Sequence, residues 1–457
     1  MTKKRGRKRK NKTISLKKKV EKITFYKKVP EINTVNGYKI LVLPRKTNVC
    51  LIECVVLGGN YFELKENSGV SHLLEHILLA AWKKCKLNKC SVYWEKYGVQ
   101  SNAYTSISTN GFWIKGLSNF FDKMLEYIVE IMLNPKFNES VIKKEKAAVE
   151  NELNQYLNKP SWKLQDAVCK NLYTVEGMRY ADDVKLQLDI LKSLTKKKLL
   201  EHFNDFYTKK NILFIVSSHL DKKIIIDKFD KLTRNVKKNK IYNFIVEKTV
   251  CTQDKKDLIF VKELSAKNTD IEICFPLNIY MGDRDYSYLD IVLSIVGGDL
   301  TSLLVRILRG KLKLVYGVSC SSTTNMCGTI VYISVSTLDK NVKEVAEKIF
   351  EICKQYSKKL ISSNKLLHAK RKYKMGVYQK NLNSVDAVSN FYAPQFLFQL
   401  NDKNVKIYTL KEQIKKINGL TKEKVRSIIK RIFNTKNCLI AYQSRQKSLT
   451  KELLKKV

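Results

Sequence analysis

His72-Leu73-Leu74-Glu75-His76 holds two of the five histidines in this 457-residue chain, four apart and flanking a carboxylate. On a helix, positions i and i+4 project from nearly the same face, with i+3 beside them. His72 and His76 can therefore present two imidazole nitrogens to one metal ion at about 2.0–2.1 Å. Glu75 then stands next to that metal, where a carboxylate can take a proton from a bound water. The plainer explanation is a helix whose polar face happens to carry these residues, so the surroundings have to decide.

Composition narrows the field. An apolar share of 44%, with six prolines and 17 glycines, supports packed cores over a disordered or fibrous chain. The longest apolar candidate, Tyr288 to Leu308, is interrupted by Asp290, Asp299 and Arg306, and no secretory apolar segment stands near the N-terminus, so we expect a soluble protein without a membrane span. The 11 cysteines include no C-x-x-C pair. We read all of them as reduced thiols in an intracellular, reducing compartment, cytoplasm or nucleus ahead of mitochondrion.

Of the formal charge of +43, residues 1–28 supply +13, with 14 Lys/Arg against Glu21 alone. This stretch reads as a disordered basic arm, either a solvated tail or a nuclear-targeting or nucleic-acid-contacting segment. Lysine-rich helix faces carry the rest of the charge.

Along the body, Asn36-Gly37 between extended segments signals a hairpin. A strand ends at Gly58-Gly59, and a loop from Glu63 to Gly69 opens the motif helix. Further helices are expected at 91–97, 119–132, 138–156 and 186–207, with strands at 100–107, 111–117 and 211–217. A lysine-rich stretch at 221–240 hides a short helix and offers a linker. A second series of similar order follows: strands near 257–261 and 270–275, helices at 285–296 and 301–309, strands at 315–322 and 329–336, helices at 340–358, 362–381 and 421–432, and a last strand at 438–442. The expected fold class is α+β: two successive, homologous units, early strands followed by helices, at 29–240 and 241–457 after the arm at 1–28.

Two histidines are half of a catalytic zinc site, which takes three protein ligands and leaves a place for water. Glu145 and Glu152 lie two turns apart on one face of the 138–156 helix, while Glu150 points elsewhere. Helical glutamates are more often a solvated face.

The order His-x-x-Glu-His is the inverted zincin arrangement. Together with Gly58-Gly59-Asn60-Tyr61-Phe62-Glu63 and Ser68-Gly69-Val70-Ser71 before it, the stretch resembles the pitrilysin, insulysin and mitochondrial-processing-peptidase family, the M16 metallopeptidases. The resemblance covers roughly residues 30–445. It implies two α/β-sandwich domains of mostly antiparallel sheet, one Zn²⁺ per chain held by His72, His76 and Glu152, a supporting carboxylate at Glu145, and Glu75 as catalytic base. Ser101-Asn102-Ala103-Tyr104-Thr105 is similar to the family's edge strand, which implies that Asn102, Ala103, Tyr104 and Thr105 bind substrate as an added strand. Gly297-Gly298-Asp299-Leu300-Thr301-Ser302, with Leu308-Arg309 and Leu314-Val315-Tyr316-Gly317-Val318, resembles the family's C-terminal signature and implies substrate binding by Arg309 and Tyr316. Two departures concern substrate detail: Ile77-Leu78-Leu79-Ala80-Ala81-Trp82 replaces a phenylalanine and glycine turn, and Glu176-Gly177-Met178-Arg179-Tyr180 only loosely matches a Gly-His-Pro-Tyr region.

The resemblance thus implies a zinc endopeptidase acting on peptides or unfolded segments in a chamber closed by dimerisation, as a homodimer or with a homologous second subunit. The rivals are a non-catalytic structural subunit of the same family and a nucleic-acid-associated protein acting through residues 1–28.

Overall fold

The computed structural model describes residues 28–84, 90–236, 256–281, 283, 285–325, 328–381, 384–403, 405–434 and 436–456. The basic arm up to residue 27, residues 237–240 of the expected linker, and Cys85, Cys251 and Cys327 lie outside the described residues.

Six strands, β1 (Ile32–Val35), β2 (Tyr38–Pro44), β3 (Val49–Leu57), β4 (Gln100–Thr105), β5 (Thr109–Leu117) and β6 (Ile212–Ser218), form a sheet in the order β1-β2-β6-β3-β5-β4. Five more, β7 (Lys256–Lys262), β8 (Thr269–Leu277), β9 (Val315–Asn325), β10 (Gly328–Thr337) and β11 (Cys438–Ser444), run β7-β11-β8-β10-β9. The pairs β2–β6 and β7–β11 are parallel, and every other pair is antiparallel. From β2 onward the second sheet therefore repeats the first, strand for strand. The expected homology of the two halves is visible as identical topology, with β4 and β9 as equivalent edges.

The central strands are apolar on both faces. In β2, β3 and β6 the side chains of Ile40, Ile52 and Phe214 enter one buried cluster while Leu41, Val55 and Leu213 enter another. Alternation at period 2 requires this split, and such strands must be covered twice. On the outer side of the first sheet lie the helices Val70–Ala80, Phe121–Leu133, Lys196–Phe206 and Lys222–Thr233. The second sheet is covered outside by Tyr286–Val296, Val342–Lys358 and Lys422–Ile432.

Between the sheets the halves exchange helices. Ser161–Leu172, from the first half, packs on β7 and β11, and Val385–Asn401, from the second, packs on β3 and β6. One buried cluster joins Val168 and Leu172 to Tyr392, Phe396 and strand residues of both sheets.

The helix carrying the histidines is seated with particular care. Gly69 precedes it at φ +86°, a left-handed conformation that favours glycine. The buried Glu63 carboxylate accepts the Gly69 N–H and the Ser71 N–H, each at 2.8 Å, satisfying donors that a helix start leaves open and placing a carboxylate at the positive end of the helix dipole. The Ser71 hydroxyl donates to the Gly58 carbonyl at 3.0 Å and lies 3.2 Å from His202 Nε2. Burial holds the His202 imidazole down to about 3, so it stays neutral.

Several expectations require correction. The expected 186–207 helix is two, Val184–Ser193 and Lys196–Phe206, because the Thr195 side chain caps the second by accepting the Lys198 N–H. The expected 301–309 helix is instead a π-helical segment, Val305–Lys311. The reading of all cysteines as free thiols is wrong for Cys90, which is disulfide-bonded. Seven described cysteines are free, and each is buried.

Two outcomes follow. Phe396→Ala removes a ring shared by both halves and is expected to cost about 3–5 kcal/mol, with a single urea transition moving to lower denaturant rather than one half unfolding first. His202 has a folded pKa below its unfolded value of about 6.5, so the stability it allows is complete above that pH and is lost as pH falls toward about 3. His202→Gln, compared with wild type by urea titration across pH 7 to 4, should flatten the acid limb, whose slope from one such group reaches about 1.4 kcal/mol per pH unit.

Candidate metal centre and substrate edge

His72 and His76 leave one face of the Val70–Ala80 helix with ring centroids 5.0 Å apart and planes at 78°. Opposite them runs the Glu139–Leu157 helix, capped at its start by the Asn138 side chain. It carries Glu152 Oε2 to 3.7 Å from the Nε2 atoms of both imidazoles. Donors at the corners of a tetrahedral zinc site with bonds of about 2.0–2.1 Å lie about 3.4 Å apart, so each histidine–Glu152 pair is within a few tenths of an ångström of the spacing such an ion requires. Among the described residues, they are the one group of three His, Cys, Asp or Glu residues whose ligand atoms all lie within 4.8 Å of one another.

Glu145, two turns earlier on the same helix, stands 3.4 Å from His76 Nδ1. An Nδ1–H turned to this carboxylate leaves the Nε2 lone pair toward Glu152, the arrangement that orients metal-binding histidines. The bond to Glu145 is also the main reason the His76 imidazole is raised above its usual range. His72 is lowered, first by burial and then by the neighbouring His76, against the pull of Glu152. A lowered imidazole is neutral near pH 7 and offers a lone pair.

Glu75 lies one helical turn from His72, buried to 9% exposure. Burial pushes its carboxyl up, opposed by a bond from Thr105 and by His76, and reinforced by Glu152. The Thr105 hydroxyl donates to Glu75 Oε2 at 2.6 Å. Asn110, fully buried on β5, donates in turn to Thr105 Oγ1 at 2.8 Å.

Thr105 ends β4, the free edge of the first sheet. Asn102 and Tyr104 are exposed along it and Ala103 is half-buried; the strand lies at a sheet edge, the kind of place to which a strand can be added, and the Ala103 N–H is bonded to the Asn102 side chain at 2.9 Å. Tyr104 pairs with Gly111 of β5, and its ring lies where a Cβ on Gly111 would come within 2.1 Å. Only glycine permits the ring to lie down on the sheet there. The Tyr104 hydroxyl then reaches Glu53 Oε1 at 3.4 Å, while Ser389 of the Val385–Asn401 helix donates to Glu53 Oε2. Burial raises the Glu53 carboxyl despite these two bonds. Glu53 is a lone acid in the apolar run of β3; that isolation was a legible signal of a special position, and sequence reasoning passed over it. Asn110 carried no comparable signal.

Arg309 and Tyr316 are both exposed. Arg309 lies in the π-helical segment, and such segments recur at functional sites. Tyr316 is the extra residue of a bulge in β9, where Ser336 pairs with Gly317 and Thr337 with Val315; bulges re-aim side chains in this way.

A cavity of about 1140 Å³ opens between the halves. His72, Glu75, Tyr104, Thr105 and Glu152 line one wall, and Asp270, Glu272 and Ser319 belong to the other. Neither Arg309 nor Tyr316 is among its lining residues.

The comparisons with known proteins agree with this architecture. Residues 40–181 match the family described as Insulinase (Peptidase family M16), and residues 193–373 match Peptidase M16 inactive domain. The chain is 22% identical over 402 residues to an uncharacterized zinc protease, YmxG, of Bacillus subtilis (strain 168), covering 87% of this chain and 94% of that one. It is 23% identical over 194 residues to cytochrome b-c1 complex subunit 1, mitochondrial, of Bos taurus, covering 42% of this chain and 40% of that one. In fold it is similar to a protease from Helicobacter pylori, with a TM-score of 0.79 at 18% identity, covering 91% of this chain and 100% of the other. With both domain types present in succession on the repeated sheet topology, the chain belongs to the M16 peptidase family.

Proposed function

We propose that this chain is a zinc-dependent endopeptidase that cleaves peptides or unfolded segments. The observation that carries the reading is the convergence of His72, His76 and Glu152 donor atoms beside the buried Glu75. Zinc held by these three would supply an acidified water and a polarised scissile carbonyl. Glu75 takes the proton of the attacking water and passes it to the leaving amine. Glu145 orients His76 through Nδ1. The edge of β4, residues Asn102 to Thr105, pairs with the substrate backbone, which confines the substrate to extended chain.

Arg309 and Tyr316 donate to the substrate carbonyl and help hold the tetrahedral intermediate. Their exposure, and their place outside the cavity's lining, favour a role at the centre of a second chain, so we assign the working form as a dimer. A homodimer suffices because one sequence carries both sets of residues; a homologous partner is the alternative. The family model named for an inactive domain and the similarity to a respiratory-complex subunit support a rival reading, a non-catalytic subunit. The intracellular assignment stays part of the proposal: seven buried free thiols support it and the Cys90 disulfide counts against it.

Purified protein is expected to contain one zinc per chain and to cleave peptides in a chelator-sensitive, zinc-restored manner. Glu75→Gln should lower kcat about 10²–10⁴-fold while keeping the metal; Glu152→Gln should lose the metal; Glu145→Gln should weaken zinc affinity about 10–100-fold. A wild-type chain without zinc, or cleavage indifferent to Glu75→Gln, defeats the peptidase reading in favour of the subunit.

The dimer has its own check. Arg309→Ala and Glu75→Gln chains, each poorly active alone, should recover activity when mixed, because one centre in the mixed dimer is intact. No recovery, with a monomer on gel filtration, means that the residues do not act across chains.

A further inference from the structure

Thr105 belongs to the edge expected to pair with substrate, yet its side chain faces inward, and the bonds around it have a fixed direction. The Asn110 side-chain nitrogen lies 3.4 Å from the Ser71 carbonyl and 2.8 Å from Thr105 Oγ1. A carbonyl can only accept, so the NH₂ end of the amide must face Ser71, and the same NH₂ donates to Thr105. Thr105 Oγ1 is thereby engaged as an acceptor, and its one proton is directed to Glu75 Oε2 at 2.6 Å.

This orientation carries a cost. Asn110 is fully buried, and its Oδ1 has no hydrogen-bond partner among the described residues. A buried, unpaired amide oxygen costs about 1–3 kcal/mol and is the kind of exception that calls for a functional reason. Rotating the amide would turn that oxygen toward the Ser71 carbonyl and remove the donor from Thr105. The unpaired oxygen is therefore the consequence of keeping Thr105 pointed at Glu75. The other carboxylate oxygen, Oε1, has no hydrogen-bond partner among the described residues.

We propose that Asn110 and Thr105 are positioning residues that hold the Glu75 carboxylate in one orientation, with Oε2 engaged and Oε1 left to meet the attacking water. The inference rests on the peptidase reading above and deepens it. It also links two parts of the site: Thr105 is the last residue of β4, so the edge that pairs with substrate and the hydroxyl that orients the base share one stretch of backbone. Ser71, which fixes the amide, directly precedes His72 on the motif helix. Helix, edge strand and β5 thus meet through a single chain of directed bonds.

The test compares Thr105→Val, Thr105→Ser, Asn110→Leu and the double variant Thr105→Val/Asn110→Leu with wild type and Glu75→Gln. Each is assayed for kcat and KM on a fluorogenic peptide, for zinc affinity by chelator competition, and for thermal stability. Thr105→Val is expected to lower kcat about 10–100-fold, with KM and zinc affinity within about twofold of wild type and Thr105→Ser restoring most of the rate. Asn110→Leu should lose a similar factor, and the double variant should be no worse than the poorer single one, because both act through one bond. Should Asn110→Leu fail to fold, the Thr105 pair still decides. Wild-type kcat in Thr105→Val alongside an inactive Glu75→Gln overturns this inference and leaves the peptidase reading standing. Equal losses in Thr105→Ser and Thr105→Val, or a double variant whose losses multiply, also overturn it. A wild-type chain without zinc-dependent cleavage overturns the reading beneath it as well.

Discussion

The whole arrangement depends on covering the inner faces of two sheets that are apolar on both sides. Neither half does this alone: Val385–Asn401 lies on β3 and β6, Ser161–Leu172 lies on β7 and β11, and their side chains merge into one buried cluster. Apolar burial is non-directional and scales with area, so this exchange sets how the sheets face each other. The large cavity lies between the same two halves, where the start of the Ser161–Leu172 helix forms part of its lining. His72 stands on one wall, and on the other the second sheet departs from its apolar pattern with Asp270, Glu272, Ser334 and Ser336.

Within that frame, the site is a set of buried acids, each with its own restraint. Glu63 is held by two N–H groups at a helix start, Glu53 by a tyrosine and a serine from opposite halves, and Glu75 by the Thr105 hydroxyl. Burial raises all three. A buried carboxylate without such partners would be costly, and with them it becomes a fixed point. Glu63 fixes where the motif helix begins, Glu53 fixes the Tyr104 ring on Gly111, and Glu75 is fixed beside the two histidines. Precision at the centre comes from these neighbours as much as from His72, His76 and Glu152 themselves.

The legible parts of the sequence were those with a strong local period or turn chemistry. The Asn36-Gly37 hairpin, the motif helix and the apolar run of β6 all stand where patterning put them. The Val385–Asn401 helix was missed: it contains Pro394, which argues locally against a helix interior, and its apolar residues surround it because it is buried between two sheets. Thr195 interrupts what periodicity presents as one long helix, because its capping bond competes with helix continuation at one residue only. The bulge at Tyr316 and the π-helical turn at Arg309 are register events that no periodicity reports.

By itself the sequence determined the chemistry on offer: two histidines and an acid at helical spacing, two glutamates two turns apart on another helix, and an edge-strand segment, all set by 3.6-residue and 2-residue periods that any local stretch carries. What only the tertiary structure decided was which of these meet, and how. The approach of Glu152 to both imidazoles depends on the Val70–Ala80 and Glu139–Leu157 helices packing side by side. The inward turn of Thr105 depends on the Asn110 amide, whose orientation is dictated by a carbonyl on a third element. Such contacts are properties of distance and bond direction in space, and a linear period contains neither.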